Sequence, residues 1–174
     1  MEVFKVGMGP FALMNATGVP VAMHAAQTLC DAFGQFYLPT KILKQQVIKK
    51  MNWSIEANPD LLDEDNEKII IERLLGASLG VAAQMISEGV SDATNTDMGA
   101  RLGLRWPKGP VEMINEIGPE KVISMITKLF SNYQLPLPNI LKELKPHEKI
   151  KINFVETRTF EDMGIIQFNR PDAL

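Results

Sequence analysis

The sequence predicts a mainly α-helical fold built of two related units, with a short β-hairpin-like tail at the carboxy terminus. Three observations carry this expectation. Apolar residues recur at the 3.6-residue helical period through most of the chain. A block opened by Gly-Pro returns at a constant offset of 100 residues. After Lys149 the pattern changes to the two-residue alternation of strands.

Taken in order, the first helix is expected over 21–33, with Val21, Ala25, Ala26, Leu29, Cys30 and Phe33 on its apolar stripe. Pro20 suits its first turn, where a missing N–H costs no hydrogen bond. A second helix follows Pro39, with Ile42, Leu43, Gln46 and Val47 on one side and Lys41, Lys44 and Lys49 largely on the other. Asn58, Pro59 and Asp60 break the chain. An acidic stretch from Asp63 to Glu67 leads into a long helix over 66–87. That helix is apolar almost all round and carries Gly76, Ala77, Gly80, Ala82 and Ala83, so it reads as the buried central helix, ended by Gly89. Glu67, Lys68, Glu72 and Arg73 in its first half argue against a membrane span.

A shorter helix is predicted over 92–102, capped by Ser91 or Asp92 and stopped by Gly103. Pro110 opens another that closes at Gly118, and Pro119 opens one through Phe130 on the stripe Val122, Ile126, Leu129 and Phe130. Pro136 and Pro138 mark a turn before Ile140 and Leu141. The tail then alternates at Ile150, Ile152 and Phe154 and again over 165–168, which predicts a strand pair turning at Glu161, Asp162, Met163 and Gly164.

Composition narrows the function classes. At 174 residues, with 45% apolar and 22% charged residues, the chain has room for one domain or two small ones with a hydrophobic core. A net charge of −3 argues against nucleic acid as the main partner. The lone cysteine, Cys30, excludes an internal disulfide and reads as a buried hydrophobe. With only His24 and His147 beside it, no metal site is expected. The amino terminus lacks a secretory pattern, and the expected localisation is cytoplasmic, with no membrane partner.

The repeat is specific. Gly9, Pro10, Asn15 and Gly18 recur as Gly109, Pro110, Asn115 and Gly118, and the apolar positions between them mostly stay apolar. Downstream, Leu38-Pro39 with Ile42-Leu43-Lys44 is echoed by Leu135-Pro136 with Ile140-Leu141-Lys142. Gly-Pro brings the backbone in tightly and opens a helix with φ preset. Asn15 and Asn115 fall in the last turn before the glycine, placed to bond a loop or helix end at a helix-loop-helix corner, or to touch a ligand. The second copy is preceded by a long and a short helix, the first by only a few residues. If the units are equivalent, the first has lost its two opening helices, which leaves an apolar face uncovered unless a partner chain or a missing segment fills it.

The run Glu88-Gly89-Val90, Asp97, Arg101-Leu102-Gly103-Leu104 and Trp106-Pro107-Lys108-Gly109-Pro110 resembles the carboxy-terminal helical domain of 3-hydroxyacyl-CoA dehydrogenases. Gly7-Met8-Gly9-Pro10-Phe11-Ala12-Leu13 resembles the same loop in another copy, and the likeness runs roughly over 6–142. The tail from Gly164 to Leu174 resembles the opening strand of an enoyl-CoA hydratase (crotonase) domain. The resemblance implies an incomplete first repeat over 1–58, a second over 59–146, and a linker with the first strands of a hydratase-like domain over 147–174. It further implies a parent β-oxidation enzyme, as in fused prokaryotic enzymes, with a Rossmann domain that holds NAD and a catalytic His–Glu pair. The helical part would close the acyl-CoA cleft and form a homodimer.

Several departures bear on activity. No GxGxxG fingerprint is present, so no cofactor is expected to bind this chain. His24 and His147 lie outside the family's catalytic context, and Glu72-Arg73-Leu74-Leu75 carries glutamate where the family has asparagine. No catalytic residue is therefore assigned, and the chain alone is expected to be inactive. The motif position makes Met8, Gly9, Pro10 and Phe11 candidates for the acyl-chain side of the pocket, with Trp106 beside the second Gly-Pro loop. The remaining charged and aromatic residues have ordinary structural roles. Glu64, Asp65 and Glu67 are an acidic helix entry, Glu112 and Glu116 are solvated, the lysines over 41–50 are a solvated face, and Trp53 is a packing residue. A stand-alone helical interaction module without chemistry is the alternative.

Overall fold

The computed structural model describes residues 6–56 and 63–168. It is mainly helical, with eight α-helices and a two-stranded antiparallel hairpin among those residues. The chain divides into two compact units, Met1–Glu67 and Lys68–Leu174. The predicted break at Asn58, Pro59 and Asp60, and the tail beyond Phe168, lie outside the described residues.

In the first unit, α1 (Pro10–Thr17) and α2 (Val19–Phe33) meet at Gly18, whose φ of +99° suits a residue without a Cβ. A short 3-10 turn follows, then α3 (Lys41–Lys49), capped by the Thr40 hydroxyl accepting from the Leu43 N–H at 3.2 Å. The α3 face is partly as expected: Leu43, Gln46 and Val47 are half-buried, but Ile42 is exposed. The predicted α2 stripe is also corrected. Of its six residues only Cys30 is buried, and Val21, Leu29 and Phe33 face outward, because none of the described elements of this unit covers that side.

The second unit holds the core. The long helix α4 (Glu64–Ser87) starts two residues earlier than expected, because the Asp63 carboxylate accepts the Asn66 N–H at 2.7 Å and caps it. From Lys68 onward α4 belongs to this unit, and its glycines let α7 (Pro119–Ser131) approach closely. A Cβ on Gly80 would sit 2.7 Å from Cζ of Phe130, and one on Gly76 would sit 3.4 Å from the Met125 carbonyl oxygen. Length and apolar composition would let α4 cross a membrane, but Leu75, Leu79, Ala82 and Ala83 are buried within the protein. The expectation of a buried central helix holds only for part of α4. Residues 63–70 are exposed throughout, and Leu74 and Met85 also face outward.

Next come α5 (Ala93–Gly103), capped by Asp92 through the Asn95 N–H at 2.7 Å, and α6 (Pro110–Ile117). The short helix α8 (Asn139–Lys142) is tied to the end of α4, where the Ser87 hydroxyl accepts the Ile140 N–H at 3.0 Å. Phe130, Leu79, Ile114, Ile126, Leu141, Val111 and Val122 are the largest fully buried side chains.

The strand expectation needs moving. Ile150 and Ile152 are not in a strand, and β1 (Val155–Phe160) pairs with β2 (Met163–Phe168) in register from Val155↔Phe168 to Phe160↔Met163. Ile150 is buried because it is held by α6 instead. The turn is Glu161-Asp162, with Glu161 at φ +50°. The hairpin buries almost nothing of its own.

Candidate functional site

The two Gly-Pro corners fold alike. Gly9 opens α1 at φ −71°, ψ 161° and Gly109 opens α6 at φ −73°, ψ 160°. Each helix runs eight residues and closes on a glycine at φ +99°. The two asparagines also do one job. Asn15 Nδ2 donates to the Trp53 carbonyl at 2.9 Å, and Asn15 Oδ1 accepts the Trp53 N–H at 2.8 Å. Asn115 clasps Ile150 in the same two-bond manner, with both distances 2.8 Å. A primary amide presents one acceptor and two donors, so it satisfies both backbone polar groups of one residue, as the facing residue of an antiparallel strand would. Both asparagines therefore pin the chain that returns after the third helix of the repeat. Asn115→Ala strips a buried residue of both backbone partners and should lower stability by about 2–3 kcal/mol. Asn15→Ala, at a more exposed corner, should cost about half that on the same grounds. Urea unfolding of the two variants measures the difference.

The second corner carries an additional group. Asp97 on α5 is 4% exposed, and its carboxylate accepts the N–H of Val111 at 2.6 Å and of Glu112 at 3.1 Å. It thereby caps α6 from another helix, at the positive end of the helix dipole. Burial raises the Asp97 pKa above its ordinary value; the two N–H groups and nearby Arg101 pull it back, while Glu112 adds to the rise. Both carboxylate oxygens are engaged by amides, so Asp97 is built to hold the corner rather than to carry protons.

Glu112 and Glu116 are not simply solvated. Glu112 pairs with Arg101, which also donates to the Pro107 carbonyl at 3.2 Å, and Lys108 reaches Glu116 at 2.6 Å. These pairs brace the loop between α5 and α6. His147 is exposed; its backbone N–H donates to Glu120 at 2.7 Å and its Nδ1 lies 3.2 Å from the same oxygen. The helix-start amide of Glu120 itself, followed by the His147 contacts, holds the Glu120 carboxyl below its ordinary pKa. His24 is exposed as well.

Met8, Gly9, Pro10 and Phe11 lie together at the start of α1, with Met8, Pro10 and Phe11 exposed. The Phe11 ring packs against Trp53, tilted by 45° with centroids 5.0 Å apart, and the Trp53 indole N–H has no hydrogen-bond partner among the described residues. Trp106 belongs to the second unit, half-buried, its backbone N–H donating to the Ala100 carbonyl at 3.2 Å. Two clefts of the second unit lie elsewhere. One of about 40 Å³ lies between α4 and α7 beside Glu72, Arg73 and Lys128, and one of about 140 Å³ lies between the end of α4 and residues 135–142. Ligand pockets typically run to roughly 300–1,000 Å³, so neither would enclose a drug-sized ligand.

Asp97 was visible in the sequence only as part of a motif. Its role is set by amides 14 and 15 residues away, a spacing with no local signature. The peptide partners of Asn15 and Asn115, 38 and 35 residues off, are equally silent. In three comparisons with known proteins, no family model, no curated protein and no solved structure matched the chain.

Proposed function

We propose that this chain is the helical, non-catalytic part of a 3-hydroxyacyl-CoA dehydrogenase, whose parent oxidises (3S)-hydroxyacyl-CoA with NAD during fatty-acid β-oxidation. The observation that carries the reading is the doubled Gly-Pro corner, at which the motif resemblance falls twice and the backbone repeats within a few degrees. In the parent, the Rossmann domain supplies NAD and the catalytic pair. This part closes the acyl-CoA cleft, with the Met8–Phe11 corner and Trp106 on the substrate side, and forms a homodimer. The hairpin belongs to a following enoyl-CoA hydratase domain in this reading, and the protein works in the cytoplasm.

The exposed apolar side chains of the first unit, Phe11, Leu13 and Val21 among them, favour a second reading. In that reading the chain is a free-standing helical interaction module without chemistry. Mass spectrometry of peptides from the source cells separates the two. Peptides running past Met1 into a glycine-rich nucleotide-binding segment and past Leu174 into a hydratase are expected. Native termini at those two residues would instead establish the module. The purified chain, given acetoacetyl-CoA and NADH, should consume no NADH above background. Turnover there would overturn the assignment as non-catalytic.

A further inference from the structure

The outer side of α3 is cationic and apolar at once. At 3.6 residues per turn, Lys44, Ile48, Lys41, Gln45, Lys49 and Ile42 follow one another, in that order, around an arc of about 160°. Every residue on that arc is exposed, whereas Leu43, Gln46 and Val47 on the opposite side are half-buried. Ile48 is 79% exposed and lies between Lys44 and Lys41; Ile42 is 63% exposed and lies beside Lys49. Lys50, the C-cap, adds a fourth charge.

The face is not neutralised from within. No Asp or Glu occurs between Asp31 and Glu56. Among the described residues none of the four lysines enters an ion pair. The chain as a whole carries −3, so this patch is a local reversal of charge.

The pairing of side chains selects the occupant. A soluble phosphate would meet the lysines and leave both isoleucines in water. An apolar protein face would meet the isoleucines and strip the lysines of solvent, which is costly for a charge without a partner. A convex helix face encloses no single small molecule. Anionic headgroups above hydrocarbon meet both kinds of side chain together. The lysine stems lie along such a surface with their ammonium groups at the phosphates, and the isoleucines dip below them.

We propose that this face of α3 rests on an anionic lipid surface. The contact is peripheral: at nine residues the helix lies along the surface and does not span it. It goes beyond the proposed function, does not depend on the parent's activity, and replaces the expectation of no membrane partner and of a merely solvated lysine face.

The test uses the whole chain, pelleted with sucrose-loaded vesicles of phosphatidylcholine alone or of phosphatidylcholine mixed with phosphatidylglycerol. It should pellet with the mixed vesicles only, and less as salt rises. Lys41→Gln, Lys44→Gln and Lys49→Gln should each lower the partition coefficient about fivefold, equivalent to about 1 kcal/mol per lysine near an anionic surface. Ile48→Ser should lower it about tenfold without altering the helical circular dichroism. Lys121→Gln, exposed on α7 of the second unit, should leave it unchanged. Poly-L-glutamate, standing for an acidic protein segment, should compete weakly. Failure to pellet with the mixed vesicles would overturn the proposal, as would pelleting indifferent to Ile48→Ser. An equal loss with Lys121→Gln, or tighter binding to poly-L-glutamate than to the vesicles, would overturn it too.

Discussion

Gly109→Ala should be among the most damaging single-methyl additions in this protein, lowering stability by about 3–5 kcal/mol. Backbone strain is not the reason, since Gly109 sits at an ordinary φ of −73°. A Cβ at this buried position would instead overlap the Asp97 carboxyl group. Asp97 must then leave, and the Val111 and Glu112 N–H groups lose their acceptor where water cannot replace it. Urea unfolding should show a lower midpoint at unchanged slope. Asp97→Ala alone should cost about 2–4 kcal/mol by loss of the same two bonds. The double variant should fall well short of the sum, because both changes break one arrangement.

The same carboxylate gives a pH signature. Burial raises the folded-state pKa of Asp97 above the ordinary 3.8, so on acidification the folded protein takes up this proton first. Its contribution to stability is complete below the ordinary value and is lost as pH rises through the raised one. The stability of the wild type relative to Asp97→Asn should therefore increase as pH falls through that window. A flat difference would mean that the two amides and Arg101 fully offset its burial.

Phe130→Ala should cost about 3–5 kcal/mol, the usual loss for emptying a buried aromatic site. The side chain is 2% exposed and lies against Gly80 of α4. Gly80→Ala, from the other side of the same contact, should cost about 1–3 kcal/mol, since its Cβ would stand 2.7 Å and 2.9 Å from two ring carbons of Phe130. With Phe130→Ala already present, Gly80→Ala should be close to neutral or stabilising, because the ring it strikes is gone and alanine favours the helix. Thermal unfolding of the four proteins measures the coupling. Additive losses would show that α4 and α7 do not meet at this pair.

Helix identity was legible in this chain because its signals are local. Pro110, Pro119 and Asp92 mark helix starts through φ and amide chemistry that act within a turn, and each helix begins at or beside its marker. The repeat was legible for a related reason. Gly-Pro, asparagine and a closing glycine at fixed spacing prescribe one backbone path, and both copies follow it. Burial was less legible. The α2 stripe and the first half of α4 have apolar residues at helical spacing, yet Val21, Leu29, Phe33, Ile69 and Ile70 are exposed. Periodicity says which side of a helix is apolar, not whether anything lies against it.

The sequence by itself thus determined a helical chain with two like corners and a β tail, since helix starts, turns and strand alternation are written in neighbouring residues. Tertiary structure alone decided that Asp97 caps a helix other than its own, and that Asn15 and Asn115 clasp peptides 35 or more residues away. Among the described residues it also decided that Phe11 and Leu13 of the first corner are exposed, whereas Val111 and Ile114 of the second are buried. Hydrogen bonds and apolar contacts act over a few ångströms of space whatever the separation along the chain, so only the folded path can say which distant groups they join.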